Sequence, residues 1–183
     1  MLTLAILGFL AERPMHAYEL KKRIAGLAGH VRTVSDGALY PAVSRLAESG
    51  WLTRHEEPGQ GVAPRQVITL TGAGREELLR RLRNPAAQDI TDGSKWVVVL
   101  SFLAQLPDSR EQIAVLRRRW DFLSEPASFF YDGGRPLRAD QMTDPFRRGV
   151  LTVARATKIA EKTWLEEILQ ELEDKAAGRR GQP

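Results

Sequence analysis

A segment in the first third of the chain carries the side chains best suited to contact a nucleic acid. In residues 35–52, Leu39, Val43 and Leu46 recur at helical spacing and would pack against a core. The opposite face carries small, aromatic and hydroxyl-bearing side chains, which let a helix approach a DNA groove closely. An ordinary surface helix carries more Lys and Glu. The segment therefore predicts a DNA recognition helix whose outer face consists of Gly37, Tyr40, Pro41, Ser44 and Glu48.

Two residues shape the start of this helix. Ser35 stands at the expected N-cap, where its hydroxyl would accept hydrogen bonds from the first backbone amides. Pro41 lies inside the helix, where it removes one backbone donor and crowds the carbonyl group four residues earlier. That carbonyl belongs to Gly37, and a glycine adopts a distorted turn at low cost. The pair predicts a kinked first turn.

The elements around the recognition helix follow the order of a winged helix-turn-helix. Residues 2–10 form an apolar run of helix formers, and a second helix starts near His16. Downstream, residues 51–55 and 65–70 alternate in polarity, and the segment between them has the Pro and Gly density of an exposed turn. Three helices followed by a two-stranded hairpin predict a winged fold. The second helix would bury Ala17, Leu20, Ile24 and Leu27.

Cationic and aromatic side chains beside the recognition helix are candidates for contacts to the phosphate backbone or the adjoining minor groove. The candidates are Tyr18, Lys21, Lys22, Arg45, Arg54 and Arg65, with Ser35, Gly37, Tyr40, Pro41 and Ser44 against the major groove. Two alternatives stay open at this point. Arg45 could instead pair with Glu48 or Asp36, and Tyr18 could be half core.

Four short stretches occur together in one order along the chain. They are residues 4–10, residues 16–20, residues 37–41 followed by Arg45, Leu46 and Gly50, and Leu70 and Thr71 followed by Gly74. With these motifs, residues 1–83 resemble the DNA-binding domain of the PadR family of bacterial transcriptional regulators. The chain departs from the family in the second wing strand, where Val67 and Ile68 replace the usual aromatic pair. The resemblance implies a winged helix that binds DNA and a dimer formed through C-terminal helices.

The distribution of charge agrees with this interpretation. The chain of 183 residues has a net charge of +4. Residues 1–83 carry twelve basic and eight acidic side chains, whereas residues 84–183 carry fifteen of each, so the whole excess lies in the half with the winged-helix pattern. An excess of positive charge favours polyanions such as double-stranded DNA, although four charges are a modest signal.

Enzyme and metal chemistry find no support in the sequence. The chain has no Cys, and His16, His30 and His55 lack the acidic or nucleophilic neighbours of a catalytic or metal site. We therefore expect a protein without enzyme activity, metal or cofactor. The first apolar run has no basic leader or cleavage site and is too short to span a bilayer, which predicts a cytoplasmic protein. The resemblance to the PadR family implies that the protein is bacterial.

The pattern of residues 84–183 predicts a hinge followed by helices. The sequence predicts a mainly α fold with a small β-hairpin wing, divided into a winged helix-turn-helix domain at 1–83, a hinge at 84–94 and a helical dimerisation domain at 95–183. A helix near 108–124 would bury Ile113, Leu116, Trp120 and Leu123 and expose the three arginines at 117–119. The connection 126–144 is aromatic at 129–131, where the side chains either plug the core or form a docking arm.

The last helix, from about residue 145 to 175, has more apolar surface than one small domain needs. Its heptad-like stripe is Val150, Val153, Thr157, Ala160, Trp164, Ile168 and Leu172, widened by Leu151, Leu165 and Leu169. Such a helix commonly docks against its symmetry mate. A two-fold homodimer presents two recognition helices to successive major grooves and selects an inverted-repeat operator. The predicted function is that of a transcriptional regulator, and more specifically a repressor.

A regulator also needs an input, and the aromatic side chains of the second half are its candidates. They are Trp96, Phe102, Trp120 and Trp164. Some family members resemble proteins that sense drugs or phenolic compounds between Trp-bearing helices, so a small aromatic effector could change the spacing of the recognition helices and release DNA. The simpler alternative is that these residues are core and this half only dimerises. A rival function is a winged helix that binds a protein instead of DNA, favoured by the acidic wing tip at Glu56 and Glu57.

Overall fold

The computed structural model describes residues 1–27, 34–57, 65–126, 131–132 and 135–178. The chain forms two compact units, Met1–Pro107 and Asp108–Pro183. Both are mainly helical, and the first also contains a small three-stranded antiparallel sheet. The predicted fold class, mainly α with a hairpin wing, is confirmed.

Four helices build most of the first unit: α1 (Leu2–Glu12), α2 (Ala17–Leu27), α3 (Asp36–Glu48) and α4 (Gly72–Arg83). Every residue of α1 from position 4 to 10 is buried, so this helix lies at the centre of the core. It ends where the backbone of Arg13 becomes extended, as expected for a residue that precedes a proline. The apolar run therefore provides the surface on which the recognition helix is mounted.

The sheet has three strands in the order β1–β3–β2, where β1 is Met15–His16, β2 is Leu52–Glu57 and β3 is Arg65–Leu70. Strands β2 and β3 form the predicted hairpin, in which Leu52 pairs with Leu70 and Glu57 pairs with Arg65. Strand β1 was not predicted, because two residues are too few to show an alternating pattern. It pairs Met15 with Ile68 on the other side of β3, and both side chains are buried.

The recognition helix α3 buries Leu39, Val43 and Leu46, as the spacing predicts. Ser35 occupies the N-cap, but its hydroxyl makes no capping hydrogen bond, so that part of the prediction is wrong. Its backbone carbonyl instead accepts from the amides of Ala38 and Leu39, each at 3.0 Å. The first turn is thus closed by backbone groups, and the helix continues unbroken through Pro41 to its end.

The segment predicted as a hinge has structure of its own. It contains α5 (Ala87–Thr91) and the start of α6 (Gly93–Phe102), and the carboxylate of Asp92 accepts from the Ser94 amide at 2.9 Å. The composition suggests a linker, but Ile90 is buried and the ring of Phe102 packs edge to face on Phe9 at 5.0 Å. Helix α6 therefore belongs to the first compact unit. The functional boundary at 84–94 stays a prediction.

The second unit consists mainly of α7 (Ser109–Ser124) and α8 (Pro145–Gly178), with the two-residue strands β4 (Tyr131–Asp132) and β5 (Arg135–Pro136) between them. Leu116 and Leu123 are buried as predicted, whereas Ile113 and Trp120 are half-buried. The aromatic residues predicted at 129 and 130 lie outside the described residues. Over the described part of the chain, no helix combines the length and the apolar character needed to cross a bilayer.

Helix α8 presents two different apolar faces. Leu151, Leu165 and Leu172 are buried, on the face whose Glu161 bonds to α7. Val150 and Val153 of the predicted stripe are exposed instead, because they lie about a third of a turn away from that buried face. The single apolar stripe expected from the sequence is thus divided into a buried stripe and a solvent-exposed one, which we call the open stripe.

Candidate nucleic-acid interface

The outer face of α3 is open and mostly uncharged. Tyr40 has 52% of its surface exposed, while Leu39 beside it has none. Gly37 and Pro41 are also exposed, and Ser44 is half-buried. Because the buried side holds the helix against α1, the Tyr40 ring projects from a fixed backbone. The face has the small and aromatic character that the sequence predicts.

A tyrosine from α2 completes this surface. Tyr18 is 78% exposed, so the alternative in which it is half core is wrong. Tyr18 and Tyr40 line one open groove of about 520 Å³, together with His16, Ala17 and Gln66. The structure therefore brings together two predicted contact residues from neighbouring helices.

His16 and Gln66 are members of the groove that sequence reasoning did not assign. The imidazole Nδ1 of His16 donates to the backbone carbonyl of Gln66, with 3.1 Å between the two atoms. This bond follows from the pairing of β1 with β3, in which His16 lies opposite Val67. Pro14, which favours an extended backbone around it, is the only local signal that could have suggested this strand.

The cations near α3 divide into paired and open ones. The Lys21 ammonium lies 2.8 Å from the Asp36 carboxylate and so ties α2 to the first residue of α3. Asp36 is therefore engaged by Lys21, not by Arg45. Lys22 and Arg45 are exposed, and neither makes an ion pair with another described side chain. These two are accessible positive charges beside α3.

Arg23, the neighbour of Lys22, has a structural role. Its guanidinium lies 2.9 Å from the Glu12 carboxylate at the end of α1 and 3.1 Å from Glu19. Glu19 also accepts from Arg13. This cluster clamps the connection between α1 and α2, and it occupies both carboxylates, so neither of them stands free beside the groove.

The wing contributes less than the sequence suggests over the part that the structure describes. Arg54 on β2 is exposed and pairs through its backbone with Ile68. Arg65 begins β3, but its side chain and the hairpin tip at 58–64 lie outside the described residues. The exposed Glu56 carboxylate lies on the same strand as Arg54 and opposes binding of phosphate there.

Helix α4 supports the wing from behind. The Thr71 hydroxyl donates to the Gly50 carbonyl at 2.7 Å and accepts from the Gly74 amide at 3.0 Å. Gly50 has φ of +73°, a left-handed conformation that turns the chain from α3 into β2. The start of α4 is therefore bonded to the turn that ends the recognition helix.

Arg75, Arg80 and Arg81 of α4 bond to other groups of the first unit and are therefore not available to contact DNA. Hydrogen bonds from Arg80, helped by Arg81, lower the pKa of Glu77 to about 2 against the opposing effect of burial. The Arg81 guanidinium also lies 5.7 Å from the centre of the Trp51 ring. Arg75 donates to the Ala11 carbonyl at 3.0 Å. The basic composition of this helix thus reflects internal contacts.

The four aromatic residues predicted to bind an effector are divided between the two compact units. Trp96 and Phe102 are on α6 and are 2% exposed, as core residues are. Trp120 is half-buried on α7, with the Lys162 ammonium 4.0 Å from its ring centre. Trp164 on α8 is 37% exposed. Their role in ligand binding stays a prediction. No cluster of potential metal ligands occurs among the described residues.

Comparison with known proteins places this geometry in context. Residues 6–80 match the model of the "Transcriptional regulator PadR-like family". The chain is also similar to the structure of Bacillus subtilis PadR in complex with operator DNA, with 20% identity, 92% of this chain and 98% of that chain covered, and a TM-score of 0.46.

Two further solved structures are similar to the chain. The complex of B. subtilis PadR with p-coumaric acid has 20% identity over 94% of this chain and 98% of that chain, with a TM-score of 0.42. A transcriptional regulator from Clostridium thermocellum has 23% identity over 43% of this chain and 76% of that chain, with a TM-score of 0.40. No curated protein matches the chain.

Proposed function

We propose that this chain, whose residues 6–80 match the model of the PadR-like transcriptional regulator family, is a repressor that binds an inverted-repeat operator as a homodimer. The observation that carries the proposal is the open face of α3, where Tyr40 and Tyr18 line one groove beside the accessible charges of Lys22 and Arg45. Such a surface can read bases with one helix and hold phosphates with the next.

The proposed contacts divide according to what each side chain offers. The major groove receives the small and hydroxyl-bearing face of α3, where Tyr40 can touch a thymine methyl group or a phosphate. The residues on this face are Ser35, Gly37, Tyr40, Pro41 and Ser44. Tyr18, Lys22 and Arg45 hold phosphates, and Arg54 and Arg65 reach the backbone or the minor groove from the wing. Lys21 can contact a phosphate only if its ion pair with Asp36 breaks.

The homodimer is proposed to form through the open stripe of α8. Phe146, Val150, Val153 and Trp164 lie along one side of this helix and are 37% to 84% exposed. They are separated by four, three and eleven residues, which are close to whole numbers of helical turns and place them on one side of the helix. A second copy of α8 in antiparallel or parallel packing would remove this surface from water, and a two-fold dimer then carries two recognition helices. Repression follows because the bound dimer occludes the DNA it covers.

The proposed input is a small aromatic effector that binds beside the tryptophans of the second half of the chain. The ring of Trp164 is exposed in the single chain and lies at the proposed dimer contact, so an effector there would bind between the two copies of α8, whereas Trp96 and Phe102 must move to admit one. The solved structure of B. subtilis PadR with p-coumaric acid gives a compound class for a first screen. Quenching of Trp fluorescence on titration, lost in Trp164→Ala, would support this part of the proposal.

The experiment that tests DNA binding is fluorescence anisotropy with a labelled duplex from the region upstream of the gene and a scrambled duplex of equal composition. We expect selective binding to the first duplex that weakens steeply with salt, because phosphate contacts release counterions. Tyr40→Ala should lose selectivity, while the matched variant Tyr131→Ala, outside the first unit, should keep it.

One alternative function has an observation in its favour. Glu56 is exposed on the wing, and Val67 and Ile68 stand where the family usually has aromatic residues. A winged helix with an acidic wing could bind a protein in place of DNA. Weak and equal binding to both duplexes at low salt would favour this alternative and contradict the repressor proposal.

A further inference from the structure

The groove beside α3 contains a histidine whose ring is held in one orientation. We infer that His16 donates a hydrogen bond from Nε2 to a phosphate of the DNA backbone and that DNA binding takes up a proton there. The inference rests on the proposed function, because it assigns a further contact residue to the same interface.

The hydrogen bond to Gln66 determines which ring nitrogen is available. A carbonyl oxygen only accepts, so Nδ1 of His16 must carry the proton in the 3.1 Å contact. Nε2 is then the second polar atom of the ring. The half-buried imidazole lines the same groove as the exposed rings of Tyr18 and Tyr40. With Nδ1 engaged by Gln66, Nε2 is the ring atom that we assign to a ligand in this groove.

The position of His16 favours a phosphate as that ligand. His16 immediately precedes α2, and the first helix of a helix-turn-helix pair crosses the DNA backbone while the second enters the groove. Lys22 on the same helix adds an accessible positive charge, and the phenol of Tyr18 adds a hydrogen-bond donor. Phosphate oxygens only accept, so Nε2 must also be protonated in the complex.

The charged groups around the groove leave the protonated ring without a competing partner among the described residues. On α2, Glu19 is held by Arg13 and Arg23. On α3, Asp36 is held by Lys21, and Tyr40 faces the groove.

The sheet contributes no carboxylate to the described lining of the groove either. Strand β3 contributes Gln66, which is uncharged. His16 and His55 both pair with Val67, from opposite sides of β3. A phosphate is therefore the anion that an imidazolium at position 16 would meet.

Proton uptake makes the affinity depend on pH in one direction. Imidazole changes its charge between pH 5 and 8 in general. If the complex requires the doubly protonated ring, binding takes up a proton from solution, and this uptake becomes less favourable as the pH rises. We expect the affinity for operator DNA to fall by about fivefold or more over this range at constant salt.

Two variants separate the contact from a purely structural role. An Asn amide reaches the position of Nδ1, so His16→Asn can keep the bond to the Gln66 carbonyl but has nothing at Nε2. A Gln amide reaches the position of Nε2, so His16→Gln can still donate to a phosphate but loses the bond within the protein. We expect about tenfold weaker binding for His16→Asn, a smaller loss for His16→Gln, and no pH dependence in either.

The control is His55→Gln, which removes the other described histidine of the sheet. It should keep both the affinity and the pH dependence of the natural protein. The inference is overturned if His16→Asn binds like the natural protein, if His16→Gln is the weaker variant, or if the pH dependence disappears in His55→Gln instead. Failure of the natural protein to select operator DNA would contradict the proposed function itself, which is a separate result.

Discussion

Arg119 on α7 forms a two-pronged ion pair with Glu161 on α8, with 2.7 Å from Nε to Oε1 and 2.9 Å from Nη2 to Oε2. The arginine is 5% exposed. The sequence pattern predicts instead that residues 117–119 form one exposed cationic face, and this is wrong for Arg119. Its charge is tolerated inside the helical pair because a carboxylate 42 residues later in the chain meets both prongs of the guanidinium.

We expect Glu161→Leu to destabilise the protein by about 3 kcal/mol, because it removes the carboxylate that meets both prongs of the buried Arg119 guanidinium. The double variant Arg119→Leu with Glu161→Leu should recover most of that loss, since two apolar side chains need no partner. Urea unfolding followed by circular dichroism at fixed protein concentration measures both values. A double variant less stable than the single one would contradict this account.

Acid should weaken the first unit through Glu77. Its pKa in the folded protein is lowered to about 2, chiefly by hydrogen bonds from Arg80, so the ionised form is favoured by folding. That contribution is complete above the ordinary pKa of 4.5 and is lost as the pH falls from there towards 2. We expect Glu77→Gln to be about 1 kcal/mol less stable at pH 7. The difference from the natural protein should shrink as the pH approaches 2, and a constant difference would argue against linkage to Glu77.

Gly74 should not tolerate a side chain. A Cβ at this position would lie 2.1 Å from the backbone carbonyl oxygen of Trp51 and 2.7 Å from Leu70. Gly74→Ala should therefore cost about 3 kcal/mol, because the backbone cannot yield as the end of a side chain can. Gly72→Ala is the matched control on the same helix, with no atom within 4 Å of the added Cβ. It should unfold within a few degrees of the natural protein in a thermal scan.

The open cations beside α3 should determine the salt dependence of DNA binding. Lys22→Ala and Arg45→Ala should each lower the slope of log affinity against log salt by about 1, with little change in sequence selectivity. Arg80→Ala on α4 is the control, because its guanidinium is bound to Glu77 at 2.7 Å. Equal slopes in all three variants would remove Lys22 and Arg45 from the interface.

The open stripe of α8 should determine the oligomeric state. Val153→Glu places a charge at a position that is 66% exposed in the single chain, and it should convert the proposed dimer to a monomer. Thr152→Glu adds the same charge one residue away on a different side of the helix and should leave the dimer intact. Sedimentation velocity distinguishes the two states. A dimer that survives Val153→Glu would place the subunit contact elsewhere.

The local sequence pattern was sufficient to predict the elements that form the proposed DNA-binding surface. The recurrence of Leu39, Val43 and Leu46 predicts the buried side of α3, and hence the outward position of Tyr40, without any knowledge of the partner helices. The alternation on each side of the Pro- and Gly-rich tip likewise predicts β2 and β3. In these cases the spacing of the apolar residues matches the repeat of the helix or strand, so the element can be predicted from the sequence alone.

Contacts between distant segments were beyond reach of the sequence. Nothing near His16 shows that it will pair with a strand that lies 50 residues later, and nothing near Arg119 identifies Glu161. The hydroxyl of Ser35 is a similar case, since the residue type permits a cap but the backbone satisfies the turn without it. The sequence therefore predicted the tyrosines of the groove and missed its histidine.

The short strand β1 also protects the wing from other chains. Strand β3 contains the apolar pair Val67 and Ile68, and in a two-stranded hairpin one edge of this pair would present unpaired backbone groups to solvent. Pairing of β1 with these two residues covers that edge where it is most apolar. A segment of two residues thereby occupies backbone groups that could otherwise pair with a strand of another chain.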